Sequence, residues 1–130
     1  MSGDWIPVSY GYNGFGVDMV EDRTNALGLH GQYISSSELF APTPESEVVS
    51  PSEMIAIGDS FTGGVHFMRP PDLAYFERVG FASSRHKGRA NVVLCDGHVE
   101  SPTLKSVFTD TNDAALIRWN RDHQPHRDRL

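Results

Sequence analysis

The sequence contains a single cysteine, Cys95. One thiol excludes an internal disulfide and any zinc site assembled from several thiolates, and it leaves the redox compartment open. Long hydrophobic runs are also lacking. Nothing approaches the ~20 apolar residues that span a bilayer, and the opening MSGDWIPVSYGYNGFG has no basic-then-apolar signal pattern. On these grounds the chain is expected to be soluble. Positive charge is scarce, with 11 Lys and Arg against 17 Asp and Glu and a net charge of -6. That balance argues against nucleic acid as a partner, because a sequence-independent grip on phosphates needs a basic face. Arg118, Arg121, Arg127 and Arg129 do gather in the tail, but Asp122 and Asp128 are interleaved with them, and the group reads as solvated charge.

What is present suits one loop-rich domain. A chain of 130 residues supports a single core, and 12 Gly with 8 Pro make turns cheap and long helices unfavourable. No internal repeat is visible. Residues 9–17 (SYGYNGFGV) alternate aromatic and small side chains, as a strand or extended arm would, with Asn13-Gly14 as a turn signal. Residues 18–51 are expected to be a loop excursion, because Pro42, Pro44 and Pro51 interrupt helix and the remainder is polar. Residues 54–58 (MIAIG) form a short apolar run that stops at Asp59-Ser60, the profile of a strand central in a sheet. Residues 61–71 read as a Gly-Pro loop, and 73–81 as either strand or short helix. Near the end, Asp110 or Thr111 is placed to cap a short helix over 112–120, with Leu116 and Trp119 on one surface. The tail, 121–130, is expected to fray.

The clearest local signal is Asp96-Gly97 between VVLC and HVE, which predicts a hairpin. A two-residue turn of type I′ pairs Cys95 with His98 and Leu94 with Val99. Val92, Leu94 and Val99 then share the core face, and Val93, Cys95, His98 and Glu100 the other.

Together these segments resemble the prepilin-type H-X9-DG domain proteins, relatives of type II secretion pseudopilins and type IV pilins found in planctomycete-like bacteria. The resemblance rests on His86, nine intervening residues, and Asp96-Gly97. Arg85, Gly88, Asn91 and His98-Val99 around that motif also fit, as do SYGYN at 9–13, IGDS at 57–60 and RWNRDHQPH at 118–126. It implies a structural subunit without catalysis, displayed on the extracytoplasmic, periplasmic side of the inner membrane. It also implies an N-terminal peptidase site and a long apolar helix, neither of which this sequence contains. Membrane contact would come only through that helix. Sheet residues that would lie against it need another cover, either the 18–51 excursion or a second chain, so self-association or contact with other pilin-like subunits is expected.

Several residues carry a second, chemical reading. His86, Asp96, His98 and Asp59 offer imidazoles and carboxylates to a divalent metal, with zinc or manganese suited to that donor set. By resemblance to pseudopilins, calcium in a C-terminal loop is another expectation, and Asp110, Asn112 and Asp113 are a second oxygen-rich candidate. Turn chemistry alone accounts for Asp96-Gly97, and an ordinary helix cap for the Asp110, Asn112 and Asp113 group, so the structural reading is preferred. Gly58-Asp59-Ser60-Phe61 has the look of a GDS-type hydrolase turn. Its partner motif fails, because Asp122 has His123 adjacent and His126 four on. A small metal-dependent or serine hydrolase using His86, Asp96, His98, Asp59 and Ser60 is therefore the alternative. A third reading is a surface ligand-binding module with Trp5, Tyr10, Tyr12, Phe15 and Trp119 as an aromatic shelf. Arg85, Lys87 and Arg89 invite an anion but lack a phosphate-binding motif. The fold class expected is α+β, a mostly antiparallel β-sheet with long loops and a short C-terminal helix, in a pseudopilin-like globular domain.

Overall fold

Residues 10–17, 26–34, 39–60, 68 and 86–130 are described by a computed structural model. The expectations for residues 61–71 (apart from Met68) and 73–81, and for Trp5 and Arg85, fall outside the described residues.

Four short strands make the main sheet: β1 (Tyr10–Tyr12), β4 (Ile55–Asp59), β5 (Val92–Leu94) and β6 (Val99–Glu100), in the order β1-β4-β5-β6 and antiparallel throughout. β4 lies inside the sheet, as its apolar run predicts. Two further strands, β2 (Gln32–Ile34) and β3 (Leu39–Ala41), pair as a separate hairpin. They lie within the stretch expected to be loop, where proline content masked two three-residue runs with β-forming side chains. The class is α+β with a mostly antiparallel sheet.

The hairpin departs from the expected register. Val93 faces Val99 and Val92 faces Glu100, so the loop is three residues long, Cys95-Asp96-Gly97. Gly97 N–H donates to the Leu94 carbonyl (2.9 Å) and Leu94 N–H to the His98 carbonyl (2.9 Å). Gly97 alone in this loop has a positive φ, +93°. This is a type I turn closed by a glycine bulge, not a type I′ turn. The one-residue slip exchanges the faces of β6. Val92 and Leu94 remain in the core, but Val99 is 65% exposed, and Glu100 moves to the core side of the sheet.

A bulge in β4 has a comparable effect. Ile55 faces Leu94 and Ile57 faces Val93, with Ala56 extra between them. Two isoleucines two apart would otherwise share a face. Here Ile55 is buried and Ile57 is 46% exposed.

The core lies on one side of the sheet. Ile55, Val92 and Leu94 pack with Val17, Met68, Ala90, Leu104, Val107, Phe108, Leu116 and Trp119. Two helices cover them. The first, α1 (Leu104–Phe108), was not legible as a helix. Thr103 Oγ1 caps it by accepting from Ser106 N–H, and Leu104, Val107 and Phe108 are its buried face. The second, α2 (Asp113–Leu116), runs on as a 3-10 turn over Ile117–Trp119. Its cap is Asn112, which accepts from Ala115 N–H at 3.0 Å, rather than Asp110 or Thr111. Phe108 meets Trp119 edge to face at 6.3 Å.

The tail does not hang free at its start. Arg121 donates to the carbonyls of Ala26 (2.6 Å) and Gly28 (2.8 Å) and pairs with Glu47 (3.2 Å), while His123 reaches Glu53 (3.0 Å). These bonds hold 121–123 against the body, correcting the expectation of a frayed end. Among the described residues no helix is long and apolar enough to cross a membrane.

Candidate functional site

The H-X9-DG motif brackets β5. At one end, Asp59 leaves the interior strand β4 only 1% exposed, and both its carboxylate oxygens are engaged. Oδ1 meets His86 Nε2 at 3.2 Å, and Oδ2 accepts the Asn91 N–H at 2.7 Å. Asn91 in turn accepts from Ser101 Oγ at 2.9 Å. His86 sits in a turn with three successive positive φ values, His86 (49°), Lys87 (56°) and Gly88 (82°). Left-handed backbone is costly for a residue with a Cβ. The bond to Asp59 holds His86 there.

At the other end of β5 the turn carries its own network. Asp96 Oδ1 accepts from the His98 N–H at 3.1 Å and meets His98 Nδ1. His98 Nε2 meets Glu100 Oε1 at 3.0 Å, and the other Glu100 oxygen takes Arg118 Nη2. The Glu100–Arg118 bond follows from the register slip, which turns Glu100 toward the helical side. With a carboxylate at each ring nitrogen, the bonds to Glu100 and then to Asp96 raise the His98 pKa. The His98 N–H and then its ring lower Asp96, and His98 followed by Arg118 lowers Glu100. Burial, aided by Asp96, raises the Cys95 thiol.

The four metal candidates thus form two pairs, Asp59 with His86 and Asp96 with His98, rather than one set. Four residues lie between Asn91 and Asp96, and the three of them in strand β5, Val92–Leu94, alone span on the order of 10 Å at about 3.3 Å each. Among the described residues no group of three or more His, Cys, Asp and Glu is arranged to hold a metal ion. In the second candidate, Asp110 pairs with Lys105, Asn112 caps α2, and Asp113 pairs with Arg127. Ser60, next to Asp59 at the end of β4, is buried. The four described members of the aromatic shelf do not form one exposed surface: Trp119 and Phe15 are buried, Tyr12 and Phe15 stack on His30, and of these four Tyr10 alone is largely exposed. Lys87 stands exposed, and Arg89 donates to the Ser101 carbonyl at 2.7 Å.

No protein-family model, curated protein or solved structure matches this chain.

Two features escaped the sequence reasoning. Asn13, fully buried, donates from Nδ2 to the carbonyls of Ile55 (2.8 Å) and Trp119 (2.7 Å) and accepts the Gly16 N–H (3.1 Å). Asn120 accepts the Val17 N–H at 3.1 Å and donates to the Gln124 carbonyl at 2.7 Å. These asparagines join the SYGYN and RWN segments into one unit. The available signal was an asparagine inside an otherwise apolar arm, a pattern that also fits an ordinary turn. The second feature is the outer face of the sheet. The register sets Tyr12, Ile57, Val93 and Val99 opposite one another in a single row across all four strands. At about 4.8 Å between strands, that row runs on the order of 14 Å. Tyr12 and Val93 are half-buried, and Ile57 and Val99 are exposed.

Proposed function

We propose that the chain is a non-enzymatic structural subunit, the displayed globular part of a pseudopilin- or prepilin-like protein in a type II secretion or type IV pilus-like assembly. The observation that carries this reading is the apolar row on the outer face of the sheet. The core side is already covered by α1 and α2, so Tyr12, Ile57, Val93 and Val99 form a second apolar surface, of the kind that marks association sites when left open to solvent. The resemblance implies a sheet packed against an apolar anchor helix, and this is the face that α1 and α2 leave open to such a helix or to a neighbouring subunit. The motif residues support the same reading, since Asp59, His86, Asn91, Asp96, Gly97 and His98 are occupied with one another or with the backbone. The site of action that accompanies the reading is extracytoplasmic, on the periplasmic side of the inner membrane. Other pilin-like subunits or further copies of the chain are the partners. Size-exclusion chromatography with light scattering tests it, and a strict monomer across concentrations would count against it.

A second reading has one observation in its favour. A buried carboxylate orienting a partly exposed imidazole, as Asp59 does His86, is an arrangement that hydrolases use. Turnover of short acyl esters, lost in Ser60→Ala, would move the assignment to a small serine or metal-dependent hydrolase.

A further inference from the structure

We draw no further inference here: the strongest candidate, the cleft between residues 43–51 and the β5–β6 turn that the half-buried Cys95 lines together with Leu29, Val48, Pro51 and Ala56, offers an apolar wall and a lone cysteine, and nothing in the structure shows what would occupy it.

Discussion

Asn13 and Trp119, 106 residues apart in sequence, are joined by a 2.7 Å hydrogen bond from the asparagine amide to the tryptophan carbonyl. The same amide nitrogen holds Ile55, so one side chain ties the N-terminal arm to the sheet and to the C-terminal turn. Asn13→Asp keeps the size but sets a carboxylate against two carbonyls. Asn13→Ala leaves those carbonyls and the Gly16 N–H without partners inside the protein. At about 1–3 kcal/mol for each buried group left unsatisfied, either change should cost on the order of 3 kcal/mol. Denaturant unfolding measures it, and a loss below about 0.5 kcal/mol, the range of surface substitutions, would contradict the role assigned to Asn13.

That joint shows where sequence reading stops. An asparagine followed by glycine announces a turn, which Asn13 does border, but a partner 106 residues away leaves no local trace. Asp96-Gly97 announces a hairpin, and the hairpin is there. The dipeptide serves both a two-residue loop and a three-residue loop with a glycine bulge, so the faces of β6 could not be read from it. The β4 bulge is similarly silent, since the alternation of MIAIG puts Ile55 and Ile57 on one face until Ala56 is inserted between them. The His86–Asp59 contact was legible only as two candidate residues, because their meeting depends on the β4–β5 register.

Gly97 and Lys87 test the turns that frame the motif. A Cβ at Gly97 would meet nothing within 4 Å, so only the +93° φ opposes a side chain. Gly97→Ala should therefore cost about 1–2 kcal/mol. Lys87→Gly should be neutral or stabilising, because glycine takes φ 56° without the steric penalty and the lysine is exposed. Thermal unfolding of both variants decides it, and a tolerated Gly97→Ala would argue for a different turn.

The Asp96–His98–Glu100 network sets a pH dependence with two limbs. His98 is raised, so its contribution is complete below its ordinary value of 6.5 and is lost as pH rises through the folded value. Glu100 and Asp96 are lowered, so theirs is complete above the ordinary values of 4.5 and 3.8 and is lost as pH falls through the folded ones. The network is thus whole between about pH 4.5 and 6.5. The stability difference between wild type and His98→Gln should be largest in that window and shrink on both sides. A pH-independent difference would show that the imidazole charge plays no part.

Metal removal should leave the fold unchanged. After incubation with zinc, manganese or calcium and dialysis, elemental analysis should find no stoichiometric ion, and a chelator should not shift the melting temperature. A retained equivalent that Asp59→Asn or His98→Gln abolishes would favour the hydrolase reading.

The central claim is that the outer row of the sheet is an association surface. Light scattering over a wide concentration range measures it directly, on the wild type and on the double variant Ile57→Lys with Val99→Lys, both at exposed positions. The account predicts a wild-type mass that climbs above the monomer's 14.4 kDa with concentration, and a folded double variant that stays at the monomer mass. A wild type that remains monomeric throughout, or a double variant that associates as the wild type does, would contradict it.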